Sequence, residues 1–304
     1  MNSGILSLDK PAGISSHTAL NAVKRIVGKR LKVGHAGTLD PMATGVLAVG
    51  IGPATKVLSY IQKHEKTYRC SIKLGLETDT YDTTGRTVSE KAADISEEEL
   101  KKIIKSFTGK IMQRPPAFSA VNVKGAKAYK IARKGEKVDL VKRPVFIREI
   151  REIKIEGDTA EFTVVCGPGT YIRSLAYDIG RKAGCGACVS ALSRTRSGSL
   201  KKETSVRPED LNSMDDVLKA LIPIYELLPE FGKVLAPPAL GDMVRNGMVL
   251  PEKDIQIKKR PDPVTDIYIL CGTGGIPLAL TREDSYKGIK GFRPFRYLGK
   301  NEKN

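Results

Sequence analysis

The sequence of 304 residues predicts an α+β protein with a mixed or antiparallel sheet, followed by a small C-terminal β-barrel. Up to residue 228, strand-like and helix-like segments follow one another without the regular rhythm of βαβ units. From residue 229 onward, glycine and proline are frequent and the apolar runs are short. We therefore expect two domains, spanning residues 1–228 and 229–304.

The strands are predicted from apolar or alternating runs, since alternation with period 2 places one face of a strand against a core. They are expected at residues 4–9, 46–51, 67–74, 145–156, 159–166 and 267–271. The run at 46–51 is apolar throughout, which is typical of a strand buried on both faces.

The helices are predicted from caps and periodicity. Ser15 and Ser16 offer an N-cap to the first amphipathic stretch. A capping-box pattern at residues 96–99 precedes the clearest helix of the chain. Residues 171–182 also have helical periodicity, and Gly184 is placed to end that helix.

Residues 113–143 form a basic segment rich in proline and glycine, which indicates a mobile insertion that contacts a partner. A solvated helical hairpin is the alternative. Only Glu136 and Asp139 oppose the cations between residues 124 and 143. Those cations are Lys124, Lys127, Lys130, Arg133, Lys134, Lys137, Lys142 and Arg143.

The net charge of +17 and the pI near 9.6 suggest an anionic partner. On charge alone, a nucleic-acid partner and a basic protein without such a partner fit equally well, and a membrane surface is the weaker alternative. No run of about 18 apolar residues is present, so we expect no membrane span. The N-terminus lacks the pattern of a secretory signal, so we expect a cytoplasmic protein.

Five cysteines and three histidines give no metal-site pattern. Cys185 and Cys188 form an isolated CxxC, for which free buried thiols are favoured over a redox switch. Neither a GxGxxG turn after a strand nor a GxxxxGK[ST] loop occurs, which excludes the usual dinucleotide and P-loop sites. We expect no metal and no cofactor.

One carboxylate, Asp40, stands in a run of unusual composition. Gly37 and Gly45 allow unusual backbone angles on either side of it, and Pro41 holds Asp40 away from helical conformation. A carboxylate on a rigid turn before a buried strand is suited to act as a nucleophile or base. The alternative is an Asx-turn that only shapes a loop.

The run from Val33 to Leu47 resembles the signature GHxGTLDPxAxGVL of the TruB family of pseudouridine synthases. Further matching segments are Leu8–His17, Lys66–Tyr68, Gln113–Ala120, Gly169–Leu175 and Ser190–Gly198. The resemblance covers nearly the whole chain. It implies a pseudouridine synthase catalytic domain at 1–228, with residues 113–143 as a thumb-like RNA-binding insertion. It also implies a PUA-like RNA-binding domain at 229–304.

The resemblance also implies roles for individual residues. Asp40 is expected to be the nucleophile, and Arg173 to pair with it and favour its charged form. Tyr68 is expected to stack on the target base and to assist proton transfer. An ordinary phenol is a poor base at neutral pH, so this second role is the weaker expectation.

Five further residues are expected in or around the site. Tyr171 and Leu192 line it, with ordinary core packing as the alternative for both. His35 occupies the space that the extruded base leaves. Lys10 and the proline after it support the catalytic loop without taking part in the chemistry.

The substrate that the resemblance implies is the uridine at position 55 in the T loop of tRNA. Lys124, Lys127, Lys130 and Arg133 are expected to contact this RNA, and the isomerisation needs no cofactor. We expect a monomer that requires no protein partner and no membrane.

Two positions depart from the family pattern: Cys188 stands where His is frequent, and Ser193 where Arg is frequent. The alternatives are a synthase directed by a guide RNA and a non-catalytic RNA-binding protein. The long basic insertion argues against the first, and the set of Asp40, Tyr68 and Arg173 argues against the second. A zinc deaminase would need ligands that the sequence lacks.

Overall fold

In the computed structural model, which describes residues 3–123 and 125–299, the strands form a ten-stranded sheet, a six-stranded sheet and two short hairpins. In the first part of the chain the strands are β1 Gly4–Lys10, β2 Val33–His35, β3 Thr44–Ile51, β4 Lys66–Leu74, β5 Leu76–Thr78, β6 Thr87–Glu90, β7 Gly109–Gln113, β8 Asn122–Val123, β9 Ala126–Lys127, β10 Arg143–Glu156, β11 Thr159–Cys166, β12 Ala187–Ser197, β13 Leu200–Lys201 and β14 Leu221–Ile222. The later strands are β15 Gly232–Leu235, β16 Leu250–Pro251, β17 Gln256–Lys259, β18 Ile267–Cys271, β19 Pro277–Tyr286 and β20 Ile289–Tyr297.

The helices of the described residues are short, and they contribute to the cores on both sides of the large sheet. They are α1 Ser16–Val27, α2 Leu58–Ile61, α3 Glu97–Lys105, α4 Ala128–Ala132, α5 Ile172–Ala183, α6 Met214–Lys219, α7 Ile224–Leu227 and α8 Gly241–Arg245. As predicted, the Ser15 hydroxyl caps α1 by accepting the Thr18 amide at 3.0 Å. Gly184 ends α5 in the left-handed conformation, also as predicted.

The large sheet has the order β14-β1-β3-β12-β4-β11-β10-β7, with β2 also on β3 and β13 also on β12. All its pairs are antiparallel except β3 with β12. The sheet is therefore mixed, and the predicted α+β class is confirmed. The parallel pair brings Arg194 beside Gly45, while β12 on its other edge brings Arg194 beside Tyr68.

Different parts of the protein pack on the two faces of the large sheet. Successive side chains of a strand point to opposite sides, so each strand contributes to both cores. Leu6 and Leu47 belong to the core under α1 and α5. Ile5, Val46 and Ala48 face the other way and pack with residues of the C-terminal sheet. The central strands are buried on both faces, as the apolar run at 46–51 predicted.

The C-terminal strands form a curled sheet in the order β16-β20-β19-β18-β15-β17. One face holds its own small core, with Val234, Leu270 and Phe292. The other face contributes Ile267 and Ile269 to the shared core with the large sheet. The division of the chain at residue 228 stays a prediction.

The basic segment 113–143 connects β7 to β10, two strands that are neighbours in the large sheet. In its described residues it contains the β8–β9 hairpin followed by the five-residue helix α4. The alternative of a helical hairpin is therefore wrong. Lys124 lies outside the described residues. Ala128 and Leu140 are buried, so parts of the segment pack against the protein.

Across the described residues, none of the helices combines the length and the apolar character needed to span a bilayer.

Candidate active site

Asp40 lies in the loop between β2 and β3, and the backbone on both sides of it is held by hydrogen bonds. The Ser16 hydroxyl bonds to both backbone groups of Leu39, at 2.8 Å and 2.9 Å. The Pro41 carbonyl accepts the amide of Gly13 at 2.9 Å and the amine of Lys10 at 3.2 Å. The Asp40 side chain remains 31% exposed, so a rigid loop presents an accessible carboxylate.

Arg173, in the first turn of α5, holds this carboxylate with both arms of its guanidinium. Its Nε donates to Asp40 Oδ2 and its Nη2 to Oδ1, each at 2.8 Å. Two further N–H groups donate to the carbonyls of Thr80 and Phe118, at 2.8 Å and 2.9 Å. The arginine is only 4% exposed. A bidentate contact from a buried arginine fixes the direction of the carboxylate.

Asp82 is a second carboxylate at this guanidinium, and sequence reasoning did not find it. Its Oδ2 lies 3.4 Å from Nη1 of Arg173, and its side chain is buried. Its Oδ1 accepts hydrogen bonds from Thr80 and Thr84 within its own loop. The run Asp79 to Gly85, with two aspartates and three threonines, was the available signal.

Tyr68 lies on β4, 9% exposed, and burial raises the pKa of its phenol. Arg194 acts against this shift and lowers the pKa of the same phenol. The net effect keeps Tyr68 neutral around pH 7, where it offers an aromatic face more readily than a base.

Arg194 is a second buried arginine of the site, only 2% exposed, and the sequence analysis assigned it no role. Its Nε donates to the Val46 carbonyl at 2.7 Å and its Nη2 to the Gly37 carbonyl at 3.2 Å. These two bonds tie the chain before Asp40 to the strand after it. Among the described residues, no carboxylate forms an ion pair with Arg194. A buried cation without such a partner favours negative charge nearby.

Lys10 is fully buried at the end of β1, where the sequence analysis expected a supporting residue. Its amine donates to the carbonyls of Pro11 and Ile14, at 2.7 Å and 2.8 Å, besides that of Pro41. Burial lowers the pKa of Lys10 to about 8, although the charge of Asp40 acts in the opposite direction.

Tyr171 immediately precedes α5 and is fixed by Gln113, the first residue of the basic segment. The Gln113 side chain accepts the Tyr171 amide at 2.7 Å and donates to its carbonyl at 3.0 Å. Leu192 lies on β12 opposite Cys70 and is 8% exposed within the main core. The position of Leu192 therefore fits ordinary core packing and a pocket wall equally well.

His35 ends β2 and lines a groove next to the Asp40 loop. Burial lowers the pKa of its imidazole, with Arg194 as the next cause, so His35 is neutral at pH 7. Its Nδ1 is buried and has no hydrogen-bond partner in the described part of the chain.

The described site cations of the basic segment have other contacts than the Asp40 carboxylate. Lys127 donates to the Ala120 carbonyl at 3.0 Å, Arg133 lies over the Tyr129 ring, and Lys130 is exposed. No hydrogen bond or ion pair of the described residues joins these three to Asp40 or Arg173. The base of the segment is tied to the site instead, through Phe118, Gln113 and the bond from Ser174 to the Arg114 carbonyl.

All five cysteines are free and buried, as the favoured interpretation of the CxxC predicted. Burial raises the pKa of Cys188 to about 11, so its thiol is protonated at neutral pH. Within the residues that the structure describes, no group of three or more His, Cys, Asp or Glu side chains could hold a metal ion.

Comparison with protein families matches residues 24–172 to the TruB family pseudouridylate synthase N-terminal domain. Residues 173–226 match the tRNA pseudouridylate synthase B C-terminal domain. A tRNA pseudouridine synthase B of Clostridium tetani is 39% identical, over 87% of this chain and 91% of its own. A Clostridium perfringens protein of the same name is also 39% identical, over 94% and 97%.

Solved structures with a similar fold are found at lower sequence identity. A chain from a Cbf5-Nop10-Gar1 complex superposes with a TM-score of 0.71 at 28% identity, covering 97% of this chain and 85% of its own. A chain from an H/ACA RNP bound to a substrate RNA containing 2′-deoxyuridine superposes with a TM-score of 0.69 at 26% identity, covering 98% and 86%. The chain therefore belongs to the TruB family of pseudouridine synthases, which are isomerases.

Proposed function

We propose that this protein converts uridine to pseudouridine at position 55 in the T loop of tRNA, with Asp40 as the nucleophile. The observation that carries the proposal is the Asp40 carboxylate, accessible on a rigid loop and held by both arms of the buried Arg173. The matched relatives are named for tRNA, which supports this class of substrate.

The reaction breaks the bond between N1 of uracil and C1′ of ribose and forms a bond between C5 and C1′. Asp40 supplies the electron pair that opens this exchange, by attack on either the base or the sugar. Both routes place negative charge on the pyrimidine, and both end with loss of the proton from C5. Atoms and electrons balance within the nucleoside, so the reaction calls for no redox cofactor or group donor.

Tyr68 is assigned to stacking on the extruded base, because its buried phenol stays neutral. Proton removal from C5 by this hydroxyl requires the help of Arg194, which lowers the pKa of the phenol. Tyr171 and Leu192 complete the pocket. His35 takes the place that the target base leaves in the RNA, which offsets part of the cost of base flipping.

The RNA is gripped by the basic segment 113–143, through Lys124, Lys127, Lys130 and Arg133. Residues 229–304 act as a PUA-like domain that contacts the acceptor-stem region of the tRNA. The protein works as a monomer in the cytoplasm and needs neither a protein partner nor a guide RNA.

The test is pseudouridine formation on an unmodified tRNA transcript, with wild type compared with Asp40→Asn. The isosteric amide keeps the shape of the site and removes the nucleophile, so binding without product is expected. A transcript with cytidine at position 55 is the positional control and is expected to remain unmodified. If wild type binds the transcript but forms no pseudouridine, the proposal fails. If product appears only with added guide RNA, the guided alternative replaces it.

A further inference from the structure

A groove with a volume of about 1010 Å³ lies between the C-terminal end of α1, β2 and the segment that leads into α2. His35 stands in its wall. The other lining residues are Asn21, Lys24, Arg25, Gly28, Lys29, Leu31, Lys32, Val33, Gly34, Thr55 and Leu58. Among these lining residues, His35 alone is a predicted site residue.

The charge of this groove has one sign. Lys24, Arg25, Lys29 and Lys32 contribute four cations to its lining, and none of its described lining residues is Asp or Glu. Asn21 and Thr55 add uncharged hydrogen-bonding groups. A concave surface that offers several cations and polar groups but no carboxylate is suited to a polyanion.

The cations around the groove repel one another. Lys56, next to the lining residue Thr55, has its pKa lowered by burial and then by Lys32 and Arg296. Lys24 is among the groups that lower the pKa of His35. A bound anion would reduce this repulsion, so the charges already present in the free protein favour anion binding.

The groove connects the Asp40 loop to the C-terminal sheet. At one end His35 pairs with Val49 of β3, and Ala36, the next residue, donates its amide to Ala48. At the other end the Lys56 amine donates to the Tyr297 carbonyl at 2.6 Å. Arg296 donates back to the Lys56 carbonyl, also at 2.6 Å. An extended chain lying in the groove would therefore run from the target site towards β20.

A purely structural reason exists for part of this charge. Lys24 and Arg25 lie in the last turn of α1, where cations stabilise the helix dipole. Lys29 and Lys32 lie beyond the end of the helix, so the dipole does not account for them. The two explanations differ in what they predict, since a dipole role concerns stability and an RNA role concerns affinity.

We propose that this basic groove binds backbone phosphates of the RNA that flank the target nucleotide, as a second grip separate from the segment 113–143. The inference rests on the proposed RNA substrate and deepens it. It assigns Lys24, Lys29 and Lys32 to phosphates, which fix the register of the RNA without reading its sequence.

The test is a triple variant, Lys24→Gln with Lys29→Gln and Lys32→Gln, in the full-length protein. The probe is an unmodified T-arm hairpin, and its Kd is measured over a range of salt concentrations. Each phosphate contact contributes about 0.7–0.9 to the slope of log K against log salt, so three lost contacts reduce the magnitude of the slope by about 2–3. At near-physiological salt the affinity is expected to fall about tenfold or more.

Two matched variants separate the groove from general charge and from folding. Changing Lys91, Lys102 and Lys105 to Gln removes the same charge from exposed positions on and before α3, and is expected to leave the slope unchanged. Changing Lys24, Lys29 and Lys32 to Arg keeps the charge and is expected to preserve the slope. The Tm of each variant reports any effect on the end of α1.

The proposal is overturned if the groove variant keeps the wild-type slope, or if the α3 variant loses as much slope as the groove variant does. If wild type modifies tRNA while the groove variant binds normally, only the groove assignment fails. If wild type binds no T-arm RNA at all, the proposed function fails and this inference falls with it.

Discussion

At Arg173, two carboxylates share one buried guanidinium. Asp82 uses Oδ1 for the hydrogen bonds of its own threonine-rich loop and faces Arg173 only through Oδ2. Asp40 has both oxygens on the guanidinium, so it receives the bidentate contact. Asp82 therefore compensates part of the charge of the buried Arg173, in addition to Asp40.

The role of Tyr68 is tested by separating its ring from its hydroxyl. We expect Tyr68→Phe to bind the T-arm hairpin with nearly wild-type affinity, because the aromatic face remains. Tyr68→Leu keeps an apolar side chain but has no aromatic face to stack on the base. Such stacking is worth on the order of 1–3 kcal/mol per base. Equilibrium binding measures both. Equal affinities for the two variants would rule out stacking. A lower rate of pseudouridine formation by Tyr68→Phe, at unchanged affinity, would assign proton transfer to the hydroxyl.

Lys10 predicts a pH dependence of stability. Its pKa is lowered from 10.5 to about 8 by burial, so between these values the unfolded chain holds a proton that the folded one has released. Stability from this group therefore rises with pH from about 8 to 10.5. Urea unfolding at pH 7.5 and at pH 9.5 is compared for wild type and Lys10→Met. The free energy of unfolding of wild type, relative to that of the variant, is expected to be larger at pH 9.5 than at pH 7.5. An equal difference at the two pH values would contradict the lowered pKa.

Among the elements, the parallel contact between β3 and β12 depends on a glycine. Gly45 has a φ of +103°, and a Cβ there would lie 2.2 Å from the Arg194 carbonyl oxygen. The close approach allows Arg194 to reach Val46 and Gly37 and so to support the Asp40 loop. Only glycine combines this backbone angle with this distance.

Gly45→Ala is expected to destabilise the protein and to abolish pseudouridine formation. Gly109→Ala is the matched control, because Gly109 has a φ of +102° but open space at its Cβ position. Both variants carry the strain of positive φ, of order 1–3 kcal/mol. The clash is expected to add about 1–3 kcal/mol at Gly45 only. Chemical denaturation of the two variants measures the difference, and equal losses would exclude the clash as the cause.

For the whole molecule, the core between the two sheets decides whether they unfold together. Ile269 of β18 packs into this shared core, whereas its neighbour Leu270 points into the core of the C-terminal sheet alone. The large sheet contributes Ile5, Val46 and Ala48, all fully buried. Removing the C-terminal sheet would expose these residues, so the large sheet depends on it.

We expect Ile269→Ala to lower the free energy of unfolding by about 2–5 kcal/mol while keeping a single transition for both sheets. Leu270→Ala is the control that removes similar volume from the C-terminal core only. Calorimetry checks both variants. Two separate transitions in wild type would show that the predicted boundary at residue 228 also separates two units that unfold independently.

Much of the fold could be predicted from local patterns. Strands at 4–9, 46–51 and 67–74 were found because alternation and apolar runs report burial directly. The insertion was harder, because a proline-rich and basic composition does not distinguish a β-hairpin with a short helix from a helical hairpin. Which of its residues are buried depends on contacts with distant parts of the chain.

The family, the α+β class and the turn at Asp40 follow from the sequence alone, since each depends on residues that are close together in the chain. Which charges meet depends on the tertiary structure. Arg173 reaches Asp40 across 133 positions, and Arg194 reaches Val46 across 148. Asp82 and the basic groove were likewise recognised only in the structure, because their residues come together from separate parts of the chain. Contacts between distant residues depend on how elements pack, and no local pattern records that packing.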